Sequence, residues 1–417
     1  MTQHVVVLGA GIVGASAALA LQHRGFSVTV VEANEGAGLG STAKSSSVIR
    51  CHYTKPEAIA IAREGRSIWE EWAAYTGLDG PRAMYHPTGV LFLMAQGTDG
   101  PTTEGLGVKA EMDERDIDAR LRMMREQGVR VEAWYRDDLA ERFPFMRFTD
   151  TPVVGMWEPE SGYVANPTDA VEDLREAAEG EGAVFRFGTR AVGSETEWVS
   201  GRLTVRAVVL DTGETLSADA VVNCTGPHSH ETNVSMGCPL PLTTAPLRQF
   251  VVEGTFANPE ELVVPAMADL EAGFYIRPDP VAFKIGAALP ADHVDFTHST
   301  DDAVPDDLLA RTKETFLARL AVRMPSIQVA DPRVISAHYD WTVSDSYPVL
   351  GGTNMGGYFV AIGTSGAWFK SGMVLGELVS ELIVRDREGD GSTQITLPHT
   401  GLSVDVSVFS PQQNARS

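Results

Sequence analysis

The sequence predicts an α/β fold built from two units interleaved along the chain, and three observations predict it. The opening stretch reads as strand, glycine turn, helix, strand. Two later stretches, "SADAVVNCTG" (217–226) and "GGYFVAIGTSG" (356–366), each end a buried strand in a glycine turn, the pattern of a chain returning twice to one sheet. At 417 residues the chain also exceeds one ordinary core.

In "HVVVLGAGIVGASAALALQHRGFSVTVVEAN" the Val-rich run gives a first buried strand. A helix of small residues follows over 12–24, and 27–31 is the second strand. Gly9, Gly11 and Gly14 form GxGxxG between strand and helix. The first glycine permits the tight turn, the second lets a pyrophosphate approach the backbone, and the third lets helix and strand pack closely; the helix N-terminus favours phosphate charge. Glu32, twenty-one residues after Gly11, ends the second strand, where it can accept from ribose hydroxyls. An acid there disfavours a 2′-phosphate, so NADP is set aside while FAD and NAD both remain open. A simple NAD dehydrogenase would place its βαβ units consecutively, whereas here the nucleotide unit is assembled from distant pieces.

Further along, 57–75 reads as a helix with Ile59, Ile61, Ile68, Trp69 and Trp72 among its apolar positions, and 87–94 is strand-like. A Gly/Thr-rich loop over 97–107 precedes a charged, solvated helix at 111–127. An amphipathic helix starts at Pro167, a strand lies near 183–187, and the strand 220–222 runs into Thr225 and Gly226. "GFYIRP" and "FKIGAA" read as neighbouring antiparallel strands. The last glycine turn leads into a long helix, and beyond about residue 397 a polar, pattern-poor stretch is expected to be flexible.

Composition narrows the function. A formal charge of −23 argues against nucleic acid and anionic membranes as partners, since both need a basic face. The plain reading is that acidity keeps the chain soluble. No stretch reaches the eighteen or so apolar residues of a membrane span, and the start lacks a signal peptide's basic region. Cys51, Cys224 and Cys238 are scattered, which points to a reducing cytoplasm without disulfides or zinc. His228 and His230 stand two apart with no carboxylate–histidine cluster beside them; they are read as loop residues, and no metal is expected.

The opening βαβ unit, "GSTAKSSSVIRCHY", "GYVANP", "VVNCTGP", "FKIG", "HYDWTVSDSYPVLGG" and "GTSGAWFKSG" together resemble the D-amino-acid-oxidase-like FAD oxidoreductases, nearest the sarcosine oxidase and N-methyl amino acid oxidase branch. The resemblance covers most of the chain and is weakest at 97–130 and in the C-terminal tail. It implies a Rossmann-like FAD domain over 1–47, 152–230 and 346–400, a substrate domain on a mixed, largely antiparallel sheet over 48–151 and 231–345, and a flexible tail at 401–417. The flavin ring would lie at their junction. Implied FAD contacts begin with Gly9, Gly11, Ile12, Val13, Gly14, Glu32 and Ala33. They continue through Ser41, Thr42, Ser46, Ser47, Val192, Cys224, Thr225 and Gly226. The last group is Gly363, Ser365, Gly366, Ala367, Trp368 and Lys370.

The resemblance also implies roles. Arg50 matches an arginine that binds the substrate carboxylate, a task suited to a planar guanidinium; the plain alternative is pairing with one of this chain's own carboxylates. Lys370, expected in the first turn of the last helix, matches a lysine assisting that carboxylate; a solvated helix lysine is the alternative. Lys284 lies opposite Phe283 and Ile285 by strand alternation and matches a lysine that promotes reaction with oxygen, where a fixed cation stabilises forming superoxide. Tyr275 and Tyr339 match pocket tyrosines. Ala337 and Lys44 replace residues that attach flavin in relatives, so FAD would be non-covalent. Ala288 and Ala367 replace two histidines, with Trp341 and Trp368 close by, making a more apolar pocket than sarcosine needs. The implied enzyme oxidises amino acids, in particular secondary or N-alkylated amines, with oxygen, giving an imine and hydrogen peroxide. A dehydrogenase passing electrons to a carrier and a flavin-binding subunit of a larger complex are the alternatives, and the chain would be a monomer or homo-oligomer.

Overall fold

The computed structural model describes residues 2–96, 111–112, 114–148, 152–241, 244–257, 264–279, 282–289, 292, 304–342 and 344–412. The Val-rich run becomes the strand His4–Leu8, with Val5 to Leu8 buried, because helices cover one face of its sheet, at Val5 and Val7, and the three-stranded ribbon of 191–217 packs on the other, at Val6 and Leu8. That six-stranded sheet has the spatial order Val184–Arg186, Ser27–Val31, His4–Leu8, Ala220–Asn223, Tyr358–Ile362, Val349–Gly352. All neighbours are parallel except the last pair. The chain therefore does return twice to its first sheet, once after 220 and once after 358. Gly9 adopts φ +95° at the tip of the first strand, where a Cβ would stand 2.6 Å from the Cys224 carbonyl oxygen. A Cβ on Gly14 would stand 1.9 Å from the Gly9 oxygen, so the helix Ile12–His23 can start where it does only with glycine there.

The second sheet is mixed. Its order is Val329–Thr342, Thr244–Phe256, Ala282–Ala287, Phe274–Pro278, Ala266–Asp269, Val90–Gln96, Val153–Glu158, Glu132–Tyr135, with Glu111–Met112 paired to Val90–Gln96. Two parallel pairings, of Ala266–Asp269 and of Glu111–Met112 with Val90–Gln96, interrupt an otherwise antiparallel ladder. The two strands expected to be antiparallel neighbours are so, with Arg277 opposite Lys284. Between the sheets a small three-stranded ribbon pairs Val48 with Tyr163 and His86 with Tyr163, delivering Arg50 to the junction.

Several expectations shift in detail. The helix of 57–75 divides at Glu71 into Pro56–Glu70 and Trp72–Thr76. The charged helix runs Glu114–Glu126, and Pro167–Gly180 is capped by the Asn166 side chain accepting from the Thr168 N–H. The glycine-rich stretch at 97–107 lies outside the described residues. His228 and His230 sit in short helical turns, Gly226–His228 and Ser229–Ser235, instead of a loop. The hairpin Ala191–Val199 with Arg202–Leu210 had no expectation; its first strand is polar and half-exposed, and its second, though it buries Val205, Ala207, Val208 and Leu210, lacks clean alternation. Among the described residues no helix is long and apolar enough to cross a membrane.

The C-terminal segment departs most. Where a flexible tail was expected from 401, Ser403–Asp405 is a strand and Val406–Phe409 a helical turn, with Val404, Val406 and Phe409 buried. The buried Glu64 carboxylate accepts from the His399 and Thr400 N–H groups, both at 2.8 Å, and pins this segment to the helix Pro56–Glu70. Phe409 meets Trp368 edge-on at 6.2 Å. Three apolar side chains in a polar stretch are too few to show a period, yet enough to dock it. Phe409→Ala should therefore cost about 3–5 kcal/mol of stability, read by urea denaturation. A loss no larger than that of an exposed substitution would detach the tail from the core.

Candidate active site

Two cavities meet at the junction. The first, about 490 Å³, opens at the carboxyl ends of His4–Leu8 and Ser27–Val31. It is lined by Gly9, Gly11, Ile12, Val13, Glu32, Ala33, Ser41 and Thr42, and from the returning strand by Val192, Cys224, Thr225 and Gly226. These residues, far apart in sequence, come together as expected. Gly14 does not line it and serves helix packing. Gly363 lies between two lining residues, Ile362 and Thr364, with its own position set by φ +69°. Thr42 Oγ1 accepts from the Ile12 N–H at 3.3 Å, satisfying one orphan donor of the first helix. The Glu32 carboxylate accepts from the Ala10 and Asn34 N–H groups, each at 2.8 Å, which fixes it beside the glycine turn with acceptor capacity to spare.

The second cavity, about 150 Å³, lies against the face of the mixed sheet. Arg50, Lys370, Tyr275, Tyr339, Ser46, Ser47, Ser365, Gly366 and Ala367 all line it, so these scattered site expectations do converge. Val90, Phe92, Met267, Leu270 and Ala288 supply apolar wall. The same segments serve both spaces: 41–44 and 361–364 line the first, 45–48 and 365–367 the second. On the strand Val329–Thr342, alternation sends His338 and Asp340 to the first cavity and Tyr339 to the second.

Arg50 stacks over the Tyr53 ring at 4.5 Å and faces the Phe92 ring at 5.2 Å. Its guanidinium donates to the His52 carbonyl, and among the described residues no carboxylate forms an ion pair with it. Lys370 is buried in a helical turn, Phe369–Ser371, just before the helix Gly372–Glu388, and not in that helix's first turn. Its Nζ donates to Tyr53 Oη at 2.9 Å and to the Ala367 carbonyl. Burial, and then the Arg50 charge, hold its ammonium well below the usual lysine range. Tyr275 Oη accepts from Ser46 Oγ at 3.0 Å. Gly286 makes room for that ring, since a Cβ there would meet it at 2.4 Å.

Some of the expected site residues lie outside both cavities. Lys284 does not line either cavity, although Ala287 of its strand lines the second; its Nζ donates to the carbonyl of Ser45, a residue of that wall, at 3.2 Å and so stands one residue behind it. Trp368 turns its ring into the core, stacked on Tyr53 at 5.0 Å. Trp341 also lines neither space, while Ala288 and Ala367 do line the second. Sequence reading missed Asp340, Tyr53, Phe92, Met267 and Leu270. Asp340 accepts from the Gly363 N–H at 2.5 Å and from Ser229 Oγ at 2.9 Å, tying the two returning segments together. The one signal for it was an acid inside the hydrophobic run "HYDWT".

A family model described as FAD dependent oxidoreductase matches residues 4–382. The fold is similar to that of L-proline dehydrogenase from P. horikoshii, with TM-score 0.77 and 20% identity over 98% of this chain and 97% of that one. It is similar too to glycine oxidase from Geobacillus kaustophilus, with TM-score 0.73 and 20% identity over 99% and 100%. A bifunctional tRNA 5-methylaminomethyl-2-thiouridine biosynthesis protein of Ralstonia nicotianae is 27% identical over 190 residues, which are 45% of this chain and 26% of that protein. The chain thus matches only about a quarter of that relative's length.

Burial pushes the Asp340 carboxyl up from 3.8 to about 7. The folded state then holds a proton that the unfolded state has lost between those values, so its contribution weakens as pH rises through this window, by up to about 4 kcal/mol. Asp340→Asn should remove that dependence and gain stability relative to the parent between about pH 5 and pH 8, measured by urea denaturation. A parent-to-variant difference independent of pH would show that Asp340 ionises normally.

Proposed function

The chain belongs to the FAD-dependent oxidoreductase family, and on that premise we propose that it oxidises amino acids at a C–N bond, taking a carboxylated amine with an apolar substituent. One observation carries this reading. Arg50, without an ion-pair partner among the described residues, faces a small cavity whose other walls are mostly apolar. A cation in such a place needs an anion. A carboxylate docked on the guanidinium fork leaves the substituent against Val90, Phe92, Met267 and Leu270. The names of the two solved proteins of similar fold, an L-proline dehydrogenase and a glycine oxidase, support an amino acid substrate.

The residues fit FAD. Gly9 and Gly11 leave the backbone bare at the helix start, Glu32 stands where a ribose would lie, and the shared segments at 41–48 and 361–367 lead from the large cavity to the small one. An elongated ligand lying along them would set its reactive end beside Tyr339 and Gly366. We assign the six-stranded sheet to the FAD domain and the mixed sheet to the substrate domain. With Ala337 and Lys44 at the positions discussed above, attachment is non-covalent. FAD, when bound, accepts two electrons from the C–H bond beside the substrate nitrogen and passes them to oxygen or to a carrier.

The chain's own part is positioning. Arg50 sets the carboxylate, Tyr275 and Tyr339 narrow the space around the reacting carbon, and the apolar wall excludes water. Lys284, one residue behind the wall at Ser45, supplies a fixed positive charge for the oxygen step. Its withdrawn place favours, as second reading, a dehydrogenase using a carrier.

Arg50→Ala should raise KM for carboxylated substrates by orders of magnitude, as loss of a charge-assisted pair worth about 2–5 kcal/mol implies, while FAD stays bound. Steady-state kinetics with an unchanged flavin spectrum would show this, and a change below about threefold would remove the carboxylate clamp. Lys284→Met should slow reoxidation by oxygen far more than anaerobic flavin reduction, followed by stopped-flow absorbance. Equal slowing of both steps would count against the oxygen role. Anaerobic bleaching of the flavin band by a panel of D-, L- and N-methyl amino acids tests the substrate class; a yellow protein that none of them bleaches would overturn it.

A further inference from the structure

We propose that Lys370 is the proton acceptor for the substrate's ammonium group, an assignment that rests on the amino-acid reading of the cavity. An amino acid arrives as a zwitterion, and its nitrogen must lose a proton before the neighbouring C–H bond can give up electrons. The acceptor has to be within reach of a nitrogen that sits next to the carboxylate carbon, so it must lie beside Arg50. Among the residues lining the cavity the titratable ones are Arg50, Tyr275, Tyr339 and Lys370. A guanidinium holds its proton, and burial pushes both phenols further from ionising. Lys370 alone is left.

Its hydrogen bonds suit a neutral amine. Nζ has two acceptors, Tyr53 Oη and the Ala367 carbonyl, and the Tyr53 hydroxyl is itself committed as donor to Ala367 at 2.6 Å. In a neutral amine these two acceptors take both N–H bonds, and the remaining tetrahedral position is left for a lone pair. An ammonium there would be buried beside Arg50 with no ion-paired carboxylate among the described residues. The acid whose charge bears on it, Glu158, accepts from the Cys51 N–H at 2.7 Å and from Ser161 Oγ at 2.6 Å, both through Oε2; its buried Oε1 has no hydrogen-bond partner, and it forms no ion pair with Lys370. The groups facing Lys370 are Arg50, Cys51 and Tyr53 from its neighbouring segment and Glu158 from the strand Val153–Glu158. From the helix Pro56–Glu70, Gly65 lies against the Lys370 carbonyl and the Trp69 indole donates to it at 2.9 Å.

Substrate binding would turn this amine into a stronger base at the right moment. When the carboxylate docks on Arg50 it cancels the repulsion that disfavours charge on Nζ. The substrate N–H bond then breaks, a new N–H bond forms on Nζ, and the electron pair stays on the substrate nitrogen. Lys370 ends as an ammonium beside the carboxylate, and the total charge is unchanged.

The test is proton counting on the flavin-bound protein with benzoate, a carboxylate that brings no ammonium of its own. Calorimetric titration in two buffers of different ionisation heat near pH 7.5 should show about one proton taken up per benzoate bound. Lys370→Met and Lys370→Arg should bind benzoate through Arg50 without that uptake. Lys370→Arg should also slow anaerobic flavin reduction by about 100-fold or more, the usual span of general-base catalysis. Benzoate binding to the parent protein with no proton uptake would overturn the assignment, because Nζ would then be an ammonium already. Failure of benzoate and every amino acid to bind would overturn the amino-acid reading itself, and this assignment with it.

Discussion

The junction depends on one steric constraint: the backbone of residues 363–372 must pass between the mixed sheet and the helix Pro56–Glu70 with almost no room. A Cβ on Gly363 would stand 2.1 Å from Thr342 Oγ1, and one on Gly65, across the gap, 2.5 Å from the Lys370 carbonyl oxygen. Because both are glycines, the segment can approach closely enough for Trp69 Nε1 to hold the Lys370 carbonyl and for Asp340 to hold the Gly363 N–H. Those two hydrogen bonds, from opposite sides, set where Lys370 stands. The cavity, the cation in it and the passage toward the nucleotide cleft all follow from that path.

A close backbone path also explains the backbone strain at this place. Ser47 and Ser365 adopt φ of +47° although neither is glycine, and both line the small cavity. Left-handed conformations in ordinary residues cost about 1–3 kcal/mol each and persist where surrounding contacts over-determine them. Ser47 Oγ donates to the Val164 carbonyl at 2.7 Å, and Ser365 Oγ to the Gly363 carbonyl at 3.2 Å. Each strained serine is thus held by its own side chain, which turns the neighbouring backbone toward the cavity.

Legibility in the sequence tracks how local each determinant is. The nucleotide turn was readable because strand, glycines, helix and acid fall within thirty-two residues and each answers to a local rule. Arg50 and Lys370 were readable only through motif resemblance, since no spacing links residues 320 apart. Asp340 and Tyr339 were harder: alternation sends adjacent residues to different cavities, and which face is which depends on a sheet assembled from 90 to 342. Trp368 misled because it sits inside the most telling motif. Its backbone follows the motif while its ring packs on Tyr53 and Phe409, and Phe409 comes from a segment with no readable period. Lys284 was rightly placed opposite Phe283 and Ile285, but the distance beyond that face was not encoded locally.

The electrostatic logic of the site runs against the chain's average. A formal charge of −23 says little about a buried cavity, because surface charges more than about 8–10 Å away are screened by salt while groups inside are not. Within the cavity the side chains that bear charge are cationic, Arg50 and Lys370, and the Arg50 field falls on Lys370. Two adjacent buried cations would be costly. Among the described residues only Glu158 is near enough to temper them, and its own burial pushes its carboxyl up. The empty-handed resolution is that Nζ gives up its proton; the other is that an anion enters. On the proposed reading, a ligand that brings both a carboxylate and a proton would satisfy both at once, as a zwitterion does and a plain acid or a plain amine does not.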